Sequence, residues 1–540
     1  MKTKFLKYFS ISLISIFMAS SCETTKLELL DSPNALTESS ADVDFYLSSI
    51  QITMSDFFEN ITEEGMELTR ILHFFGPTYE NGYAASQLNN AWSNVYSGVL
   101  PDARALVPLA IEQELYTHAA IAQIAEAYMV GTLVDYIGDI PYTESNDGVS
   151  LNPVADLGSE IYPKLIALLD EAIVNLGKTE SVLPSTDLYY DGDEAKWTKL
   201  ANTLKLKFYL QTRLVDDVAS EINAIVASGN YIQSSDDDFF FQYSSTDTDP
   251  DSRHPIFARN FVEGSGVTDY MSNHYMNELV HQYSTGKTVV DPRTRYYFYR
   301  QRSTSSETTV EQACYGTLPP DHYGFAIPYC TLTDGYWGRD HGDDGGIPPD
   351  TSLRATWGVY PVGGPFDEDT FVSIADRNVG LVGQGISPIM MSSYVDFMLA
   401  EAALTIGTTG DARTYLENGI TKSIDKVINF GSSIANSSYV PDAAYITSYI
   451  DEVLALYDAA ATNDEKLNII VKEYFIALYG NGIEAYNTFR RTGMPDNLQP
   501  LRKSVTTQFV NSFFYPSDYV NQNSNATQKT DVYQTVFWDN

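Results

Sequence analysis

The sequence predicts an all-α fold, a tetratricopeptide-like scaffold of helix pairs with long irregular loop excursions and little β-structure. Three observations predict it. Apolar side chains recur at helical spacing in several segments, small residues flank a glycine-rich turn between two of these segments, and the composition changes sharply between about residues 233 and 387.

Apolar stripes mark the predicted helices of the core. One stripe falls at positions i, i+3, i+4, i+7, i+8 and i+11 and consists of Ile121, Ile124, Ala125, Tyr128, Met129 and Thr132. Further stripes consist of Ile161, Leu165, Leu168, Leu169 and Leu176, then Trp197, Leu200, Ala201, Leu204 and Phe208, and finally Leu467, Ile470, Val471, Tyr474, Phe475 and Leu478. Asn463 and Asp464 are the predicted capping residues of the last helix. The stripes predict core-facing sides of helices, not cofactor sites.

A predicted helix pair spans residues 388 to 428. Ala400, Ala402 and Ala403 precede a glycine-rich turn at 407–410, and Ala412 follows it. Small residues on facing helices allow the close packing of a tetratricopeptide-like hairpin.

The segment from about 233 to 387 is rich in Gly, Pro, Asp and aromatic residues and has few helical stripes. Long irregular excursions from a rigid scaffold often carry binding surfaces. We therefore expect a loop-rich ligand region here, within a single helical domain that covers residues 44–540.

The N-terminus has the features of an export signal followed by a lipid anchor. Lys2, Lys4 and Lys7 precede an apolar stretch at 11–18, and small residues then lead to Cys22. We expect a signal peptide at 1–21, acylation of Cys22, and a tether at 22–43 rich in Ser, Thr, Pro and Asn. The membrane would then be contacted only through the lipid.

The net negative charge argues against polyanionic partners. Without residues 1–21 the chain keeps 30 basic and 71 acidic side chains, a formal charge of −41. Nucleic acids and anionic membrane surfaces would be repelled by such a protein.

Two cysteines, Cys314 and Cys330, remain after Cys22. An oxidising compartment permits a disulfide between them, and two unpaired thiols are the alternative.

Acidic residues cluster in the turn at 338–350, which includes Asp340, Asp343 and Asp344. A solvated acidic turn is the simpler interpretation, and a structural calcium ion held by these three carboxylates is the alternative. No other cofactor is expected.

Large rings are concentrated around the same turn, outside any helical stripe. Exposed aromatic faces stack on sugar rings or peptide side chains. Trp337 and Trp357 are the leading ligand-binding candidates because tryptophan has the largest flat face, and the other candidates are Tyr323, Tyr336 and Tyr360.

Catalytic motifs were sought and not found. The sequence contains no HExxH, GxSxG, GxxxxGK[ST] or CxxC. We therefore expect a binding protein rather than an enzyme, with no catalytic residue.

Three stretches together resemble one family. They read LELLDSPN at 27–34, DYIGDIPY at 135–142 and IEAYNTFRRTG at 483–493, behind a lipoprotein-like signal. In this order they are similar to the SusD/RagB nutrient-binding outer-membrane lipoproteins, and within them to the SusD-like branch. Tyr136 and Ile137 stand where a Trp-Gly pair is usual.

The resemblance implies a helical fold with four tetratricopeptide-like pairs and a surface-exposed lipoprotein of the outer membrane. It also implies a SusC-like TonB-dependent β-barrel transporter as partner, on which the protein acts as a lid that captures a glycan or peptide. A surface glycan-degrading enzyme and a helical-repeat adaptor remain as alternatives.

Overall fold

A computed structural model describes residues 42–179, 182–262, 269–283, 285–324, 327–345, 353–374, 378–505 and 508–539. The predicted signal peptide at 1–21, the anchor Cys22 and nearly all of the tether at 22–43 lie outside the described residues.

Helices dominate the described residues, and the predicted all-α class is confirmed. In the first half they are α1 (Val43–Leu68), α2 (Tyr79–Gly82), α3 (Asn89–Ser93), α4 (Leu100–Glu112), α5 (Tyr116–Ile137), α6 (Gly158–Leu176), α7 (Glu194–Gln211) and α8 (Ala219–Ser228). A π-helical segment, Asn94–Val99, joins α3 to α4.

The second half begins with short helices, continues with longer ones and ends with a short one. The helices are α9 (Pro255–Phe257), α10 (Asn273–Val280), α11 (Thr294–Tyr297), α12 (Ser392–Ile406), α13 (Ala412–Gly431), α14 (Ala443–Ala459), α15 (Asn463–Ala477), α16 (Gly482–Thr492) and α17 (Ser517–Gln522). The region at 233–387 is loop-rich as predicted.

The strands form two small antiparallel pairs. They are β1 (Phe239–Gln242) with β4 (Ile386–Met390), and β2 (Phe298–Tyr299) with β3 (Thr356–Trp357). The first pair joins the two ends of the loop-rich region, so this region leaves the helical scaffold and returns to it at one place.

Consecutive helices pack against one another, and the pairs include α4 with α5, α5 with α6, α6 with α7, α12 with α13, and α14 with α15. The pair of α12 and α13 is the one predicted at 388–428. From Val43 onward, most of the buried apolar side chains that the structure describes form one continuous cluster. The stripe predicted for α5 covers only part of the buried surface of this helix, because every residue from Thr117 to Ile137 is buried.

The two ends of the helical scaffold meet where α1 crosses α16. A Cβ atom added to Gly482 would lie 1.9 Å from the carbonyl oxygen of Thr62, and Gly65 faces the same contact. Glycine at both positions lets the two backbones touch. This contact is the reason that residues near the start and end of the chain share one core.

Helix ends follow the expected local chemistry, with one correction. Gly138 ends α5 at a positive φ of 97°, as the Gly-Asp-Ile-Pro sequence predicts. The predicted caps of α15, Asn463 and Asp464, are wrong: Thr462 caps the helix and Glu465 completes a capping box. The carboxylate of Glu465 accepts a hydrogen bond from the amide of Thr462. The helix therefore begins at Asn463, one residue earlier than a cap at Asn463 would place it and two earlier than a cap at Asp464 would.

Within the described residues, no helix combines the length and the apolar character needed to cross a bilayer. Cys314 and Cys330 are joined in a disulfide, with their Cα atoms 5.5 Å apart.

Candidate functional site

A cleft of about 850 Å³ opens between the loop-rich region and the N-terminal end of α14. Its lining comes from four segments, at 280–303, 333–336, 369–371 and 438–445. We call it the arginine–tyrosine cleft, after the side chains that give it its chemistry: Arg295, Arg300, Tyr336, Phe371, Tyr439 and Tyr445.

Two arginines are held on one wall by a short helix and a strand. Arg295 belongs to α11, which runs directly into β2, and Arg300 follows β2. Since β2 pairs with β3, with Tyr299 opposite Thr356, the backbone that carries both arginines is fixed on its far side.

Both guanidinium groups are bound to carboxylates. Arg295 donates from Nη1 and Nη2 to the two oxygens of Asp369, over 3.0 and 3.1 Å. Arg300 donates from Nε to Asp367 over 2.6 Å and also contacts Asp369. These hydrogen bonds from Arg295, and next its charge, hold the pKa of Asp369 below its usual value.

Aromatic rings stack on the same guanidinium groups. The Cζ atom of Arg300 lies 4.7 Å from the ring centre of Tyr336 and 5.2 Å from that of Phe371. The Cζ atom of Arg295 lies 4.6 Å from the ring centre of Tyr439. The ion pairs therefore hold the rings as well as the charges in place. Burial raises the pKa of the Tyr336 hydroxyl to about 12.

The opposite wall is the turn that leads into α14. Asp442 caps this helix by accepting a hydrogen bond from the amide of Tyr445. The hydroxyl of Tyr445 donates to the carbonyl of Val290 over 2.7 Å, and Asn436 donates to Glu368 over 2.8 Å. These two bonds join the helical scaffold to the loop-rich region on either side of the cleft.

A buried ion-pair network lies beneath the floor. Asp291 lines the cleft and pairs with Arg293 over 2.6 Å, and Arg293 in turn approaches Glu473 at 3.5 Å. Burial alone would raise the pKa of Asp291, but the charges of Arg293 and Lys287 outweigh it and lower the pKa to about 2. Asp291 is therefore a fixed anion that holds the floor together.

The arrangement is suited to binding and less suited to bond cleavage. Flat ring faces beside polar groups form the usual surface for a hydroxyl-rich ligand. A glycosidase needs two carboxyl groups that can reach the scissile bond. Asp291 and Asp369, two acidic residues of the lining, are instead bound to arginine.

The leading ring candidates do not lie on a surface. Trp357 is fully buried, its Nε1 donates to Asp269 over 3.0 Å, and its ring packs 4.7 Å from that of Tyr479. Trp337, Tyr323 and Tyr360 are also buried. The expectation that these four rings offer open stacking faces is wrong, because all four are packed inside the protein, and Trp357 and Tyr360 belong to the same core as the helices.

Tyr336 is the one sequence candidate that lines the cleft. Its side chain is 9% exposed, and Arg300 covers one face of the ring. Tyr336 therefore shapes the wall more than it offers a stacking face.

The predicted calcium ligands face protein donors instead of one another. Asp340 accepts hydrogen bonds from Asn273, Gln499 and the amide of Cys330. Asp343 pairs with Arg502 and Asp344 with Lys503. Among the described residues, no group of three His, Cys, Asp or Glu side chains is arranged to hold a metal ion. The solvated-turn interpretation is also wrong for Asp340 and Asp343, since both are buried.

One of the exposed rings outside the cleft is that of Phe75. Phe75 is 51% exposed and packs edge-on against His73, which also contacts Tyr270. Arg354 stacks on Tyr270 with its Cζ atom 3.5 Å from the ring centre. This surface serves below as the comparison for the cleft.

Several cleft residues escaped the sequence analysis. Tyr439 and Tyr445 lie outside the 233–387 region that was predicted to bind the ligand. A usable signal was present, since tyrosines flank a Pro-Asp turn at 441–442 that precedes an amphipathic segment. Arg295 and Arg300 carried no such signal, because their partners Asp367 and Asp369 are about seventy residues away.

Comparison with known families and structures agrees with the fold. Residues 33–326, more than half of the chain, match the family described as starch-binding and associating with the outer membrane. Residues 381–535 match the Susd and RagB outer membrane lipoprotein family. A search of curated proteins returns no match.

Similar solved structures include a SusD/RagB family protein from Bacteroides thetaiotaomicron, with 20% identity and a TM-score of 0.66 over 92% of this chain and 99% of that one. A chitin-binding SusD homologue from Flavobacterium johnsoniae has 20% identity and a TM-score of 0.60 over 92% and 98% of the two chains. At this identity the likeness shows the fold. Together with the match over more than half of its length, it shows that the chain belongs to the SusD/RagB family of outer-membrane lipoproteins.

Proposed function

We propose that this protein is a surface-exposed lipoprotein of the outer membrane that captures a glycan in the arginine–tyrosine cleft and delivers it to a TonB-dependent, SusC-like β-barrel transporter. The observation that carries the proposal is the cleft itself, whose volume of about 850 Å³ is lined by Tyr445, by Tyr439 stacked on Arg295, and by two arginine–carboxylate pairs. Family membership supports the membrane location and the class of ligand.

A glycan is favoured over a peptide as the ligand. The described part of the cleft combines half-exposed rings with hydroxyl groups from Thr294, Ser303 and Thr333, and its arginines are already bound. Sugar hydroxyls match such neutral donors and acceptors, and sugar rings match the tyrosine faces. A related fold is that of a chitin-binding protein, which agrees with this choice.

Titration calorimetry on the mature protein tests the ligand and the site together. A panel of malto-, xylo- and chito-hexaoses with a mixture of short peptides should give a signal with at least one glycan. Loss of a ring that contacts the ligand at an interface centre costs more than about 1 kcal/mol. Tyr439→Ala should therefore weaken binding about tenfold or more.

Two comparison variants make the result specific. Tyr315, 37% exposed and outside the cleft, provides the matched control, and Tyr315→Ala should keep wild-type affinity. If Phe75→Ala abolishes binding and Tyr439→Ala does not, the ligand binds at the Phe75 surface and the cleft assignment is wrong. Binding of peptides alone would overturn the choice of a glycan.

The anchor and the transporter need separate tests. Metabolic labelling with an alkyne palmitate should mark the wild-type protein and leave Cys22→Ala unlabelled. Purification in mild detergent should recover the β-barrel in stoichiometric amount. Recovery of the tagged protein alone at low and moderate salt would favour the adaptor or enzyme alternatives.

A further inference from the structure

The cations that line the cleft are both neutralised by the protein itself. Within the described lining these cations are Arg295 and Arg300. Arg295 makes a two-pronged ion pair with Asp369, and Arg300 pairs with Asp367 over 2.6 Å and with Asp369. Planar pairs of this kind are the strong form of the arginine–carboxylate interaction. The charges of Arg295 and Arg300 are therefore not available to bind a ligand.

Backbone groups use further donors of the same arginines. Arg295 also donates from Nη1 to the carbonyl of Asp367 over 3.0 Å, and Arg300 donates from Nη1 to the carbonyl of Asp334 over 2.7 Å. An incoming anion would have to break several of these bonds at once in order to reach a guanidinium group.

The remaining charge in the cleft is negative. Asp291 is balanced by Arg293 below the floor. Asp334 is exposed at the rim, where its side chain accepts a hydrogen bond from Thr333 rather than from a cation. The whole chain carries a formal charge of −38, so the field around the cleft is negative as well.

We propose that the cleft selects uncharged glycans and rejects those that carry carboxylate, sulfate or phosphate groups, and that Asp369 is the residue that sets this selectivity. The proposal rests on the glycan-binding function proposed above and names its substrate class. Asp369 is the determinant because both arginines share it and because its side chain is 34% exposed, whereas that of Asp367 is 1% exposed. It therefore stands where the acidic group of a ligand would have to bind.

The selectivity should reverse when Asp369 loses its charge. Asp369→Asn keeps the size of the side chain but removes the two-pronged carboxylate partner of Arg295, which retains only the longer carboxylate contact with Asp367 at 3.7 Å. The guanidinium group of Arg295 can then bind an anion in the cleft. Asp369 has a φ of 60°, a left-handed conformation that asparagine adopts readily, so the variant should fold.

The same cleft offers a matched control for total charge. Asp334→Asn removes one negative charge from the rim without releasing an arginine, and Asp334 has a similar φ of 58°. Any effect of net charge alone should be equal in the two variants. An effect of the released arginine should appear only in Asp369→Asn.

Titration calorimetry at two salt concentrations tests the proposal with neutral probes (malto-, xylo- and chito-hexaose) and acid-bearing probes (oligogalacturonate and hyaluronan hexasaccharides). Wild type should bind a neutral probe at least tenfold more tightly than any acid-bearing one. Asp369→Asn should bind an acid-bearing probe at least tenfold more tightly than wild type does, and less so at high salt. Asp334→Asn should stay within about threefold of wild type.

Each result decides between the two proposals. Tighter binding of acid-bearing probes by the wild type would overturn the selectivity while leaving glycan capture intact. Equal gains in both variants would show that net charge, and not Asp369, sets the preference. Binding of no probe by the wild type or by either variant would contradict glycan capture itself. Melting temperatures of all three proteins identify any loss that comes from unfolding.

Discussion

At the scale of single residues, burial decides what each ring and each acid can do. Glu64 on α1 is 6% exposed, and its Oε1 accepts a hydrogen bond from Gln87 over 2.9 Å. Burial raises the pKa of this carboxyl from 4.5 to about 7, and the charge of Glu63 adds to the effect. The folded protein therefore favours the protonated form of Glu64.

Glu64→Gln should stabilise the protein by an amount that grows with pH. The raised pKa means that the contribution of Glu64 to stability is fully present below about pH 4.5 and is lost as the pH rises to about 7. Glutamine stays neutral throughout, so the gain should be near zero at pH 4.5 and on the order of 3 kcal/mol above pH 7. Urea unfolding at four pH values measures it. Glu160→Gln, an exposed change on α6, is the control, and a gain independent of pH would contradict the assignment.

Trp357 and Tyr439 should give opposite results when replaced by alanine. Trp357 is fully buried, so Trp357→Ala should lower the free energy of unfolding by about 3–5 kcal/mol without changing the glycan affinity of the folded protein. Tyr439→Ala should keep the melting temperature and lose affinity. Thermal unfolding and ligand titration on both variants separate the two roles. Lost affinity in stably folded Trp357→Ala would restore this ring as a ligand contact.

At the scale of elements, buried ion pairs join helices that are far apart in the chain. Arg491 on α16 donates to both oxygens of Glu401 on α12, over 2.7 and 2.8 Å, and also contacts Gln211 on α7. Asp135 at the end of α5 accepts hydrogen bonds from Asn487 on α16 and from Trp538. The family-like stretches at 135–142 and 483–493 are thus in contact, and their chemistry is structural.

Removal of Arg491 should be far more costly than removal of an exposed arginine. Arg491→Ala leaves the carboxylate of Glu401 buried with Arg213 as its remaining ion-pair partner, at an expected cost of about 3–5 kcal/mol. Arg413 pairs with Asp458 on an exposed face, and Arg413→Ala should leave the melting temperature unchanged within error. Differential scanning calorimetry on both variants tests this, and equal stability of the two would contradict a structural role for the Arg-Arg-Thr-Gly stretch.

At the scale of the whole molecule, the helical scaffold could be predicted from the sequence and the site could not. Stripes such as Ile161 to Leu176 are local, so their 3.6-residue period is visible in one segment. The cleft depends on contacts such as Asn436 with Glu368 and Arg295 with Asp369, which join residues about seventy positions apart. No local pattern encodes such contacts.

The aromatic loop region shows the same limit. Trp337 and Trp357 lie in a segment whose composition is typical of an exposed binding surface. Both side chains are nevertheless buried. Sequence alone could not tell these apart, because the tertiary partners that cover the rings are distant in the chain, such as Tyr479, which packs on Trp357 from the turn between α15 and α16. Of the five ring candidates, only Tyr336 lines the cleft.

Hydrogen–deuterium exchange of the mature protein, with and without a bound neutral hexaose, tests the central claim most directly. If the arginine–tyrosine cleft captures the glycan, backbone amides should exchange more slowly at 291–303, 333–336, 369–371 and 438–445, while those of the scaffold helices α5 and α6 stay unchanged. Slower exchange confined to the segment around Phe75, with these four segments unaffected, would contradict the account and place capture on the other surface.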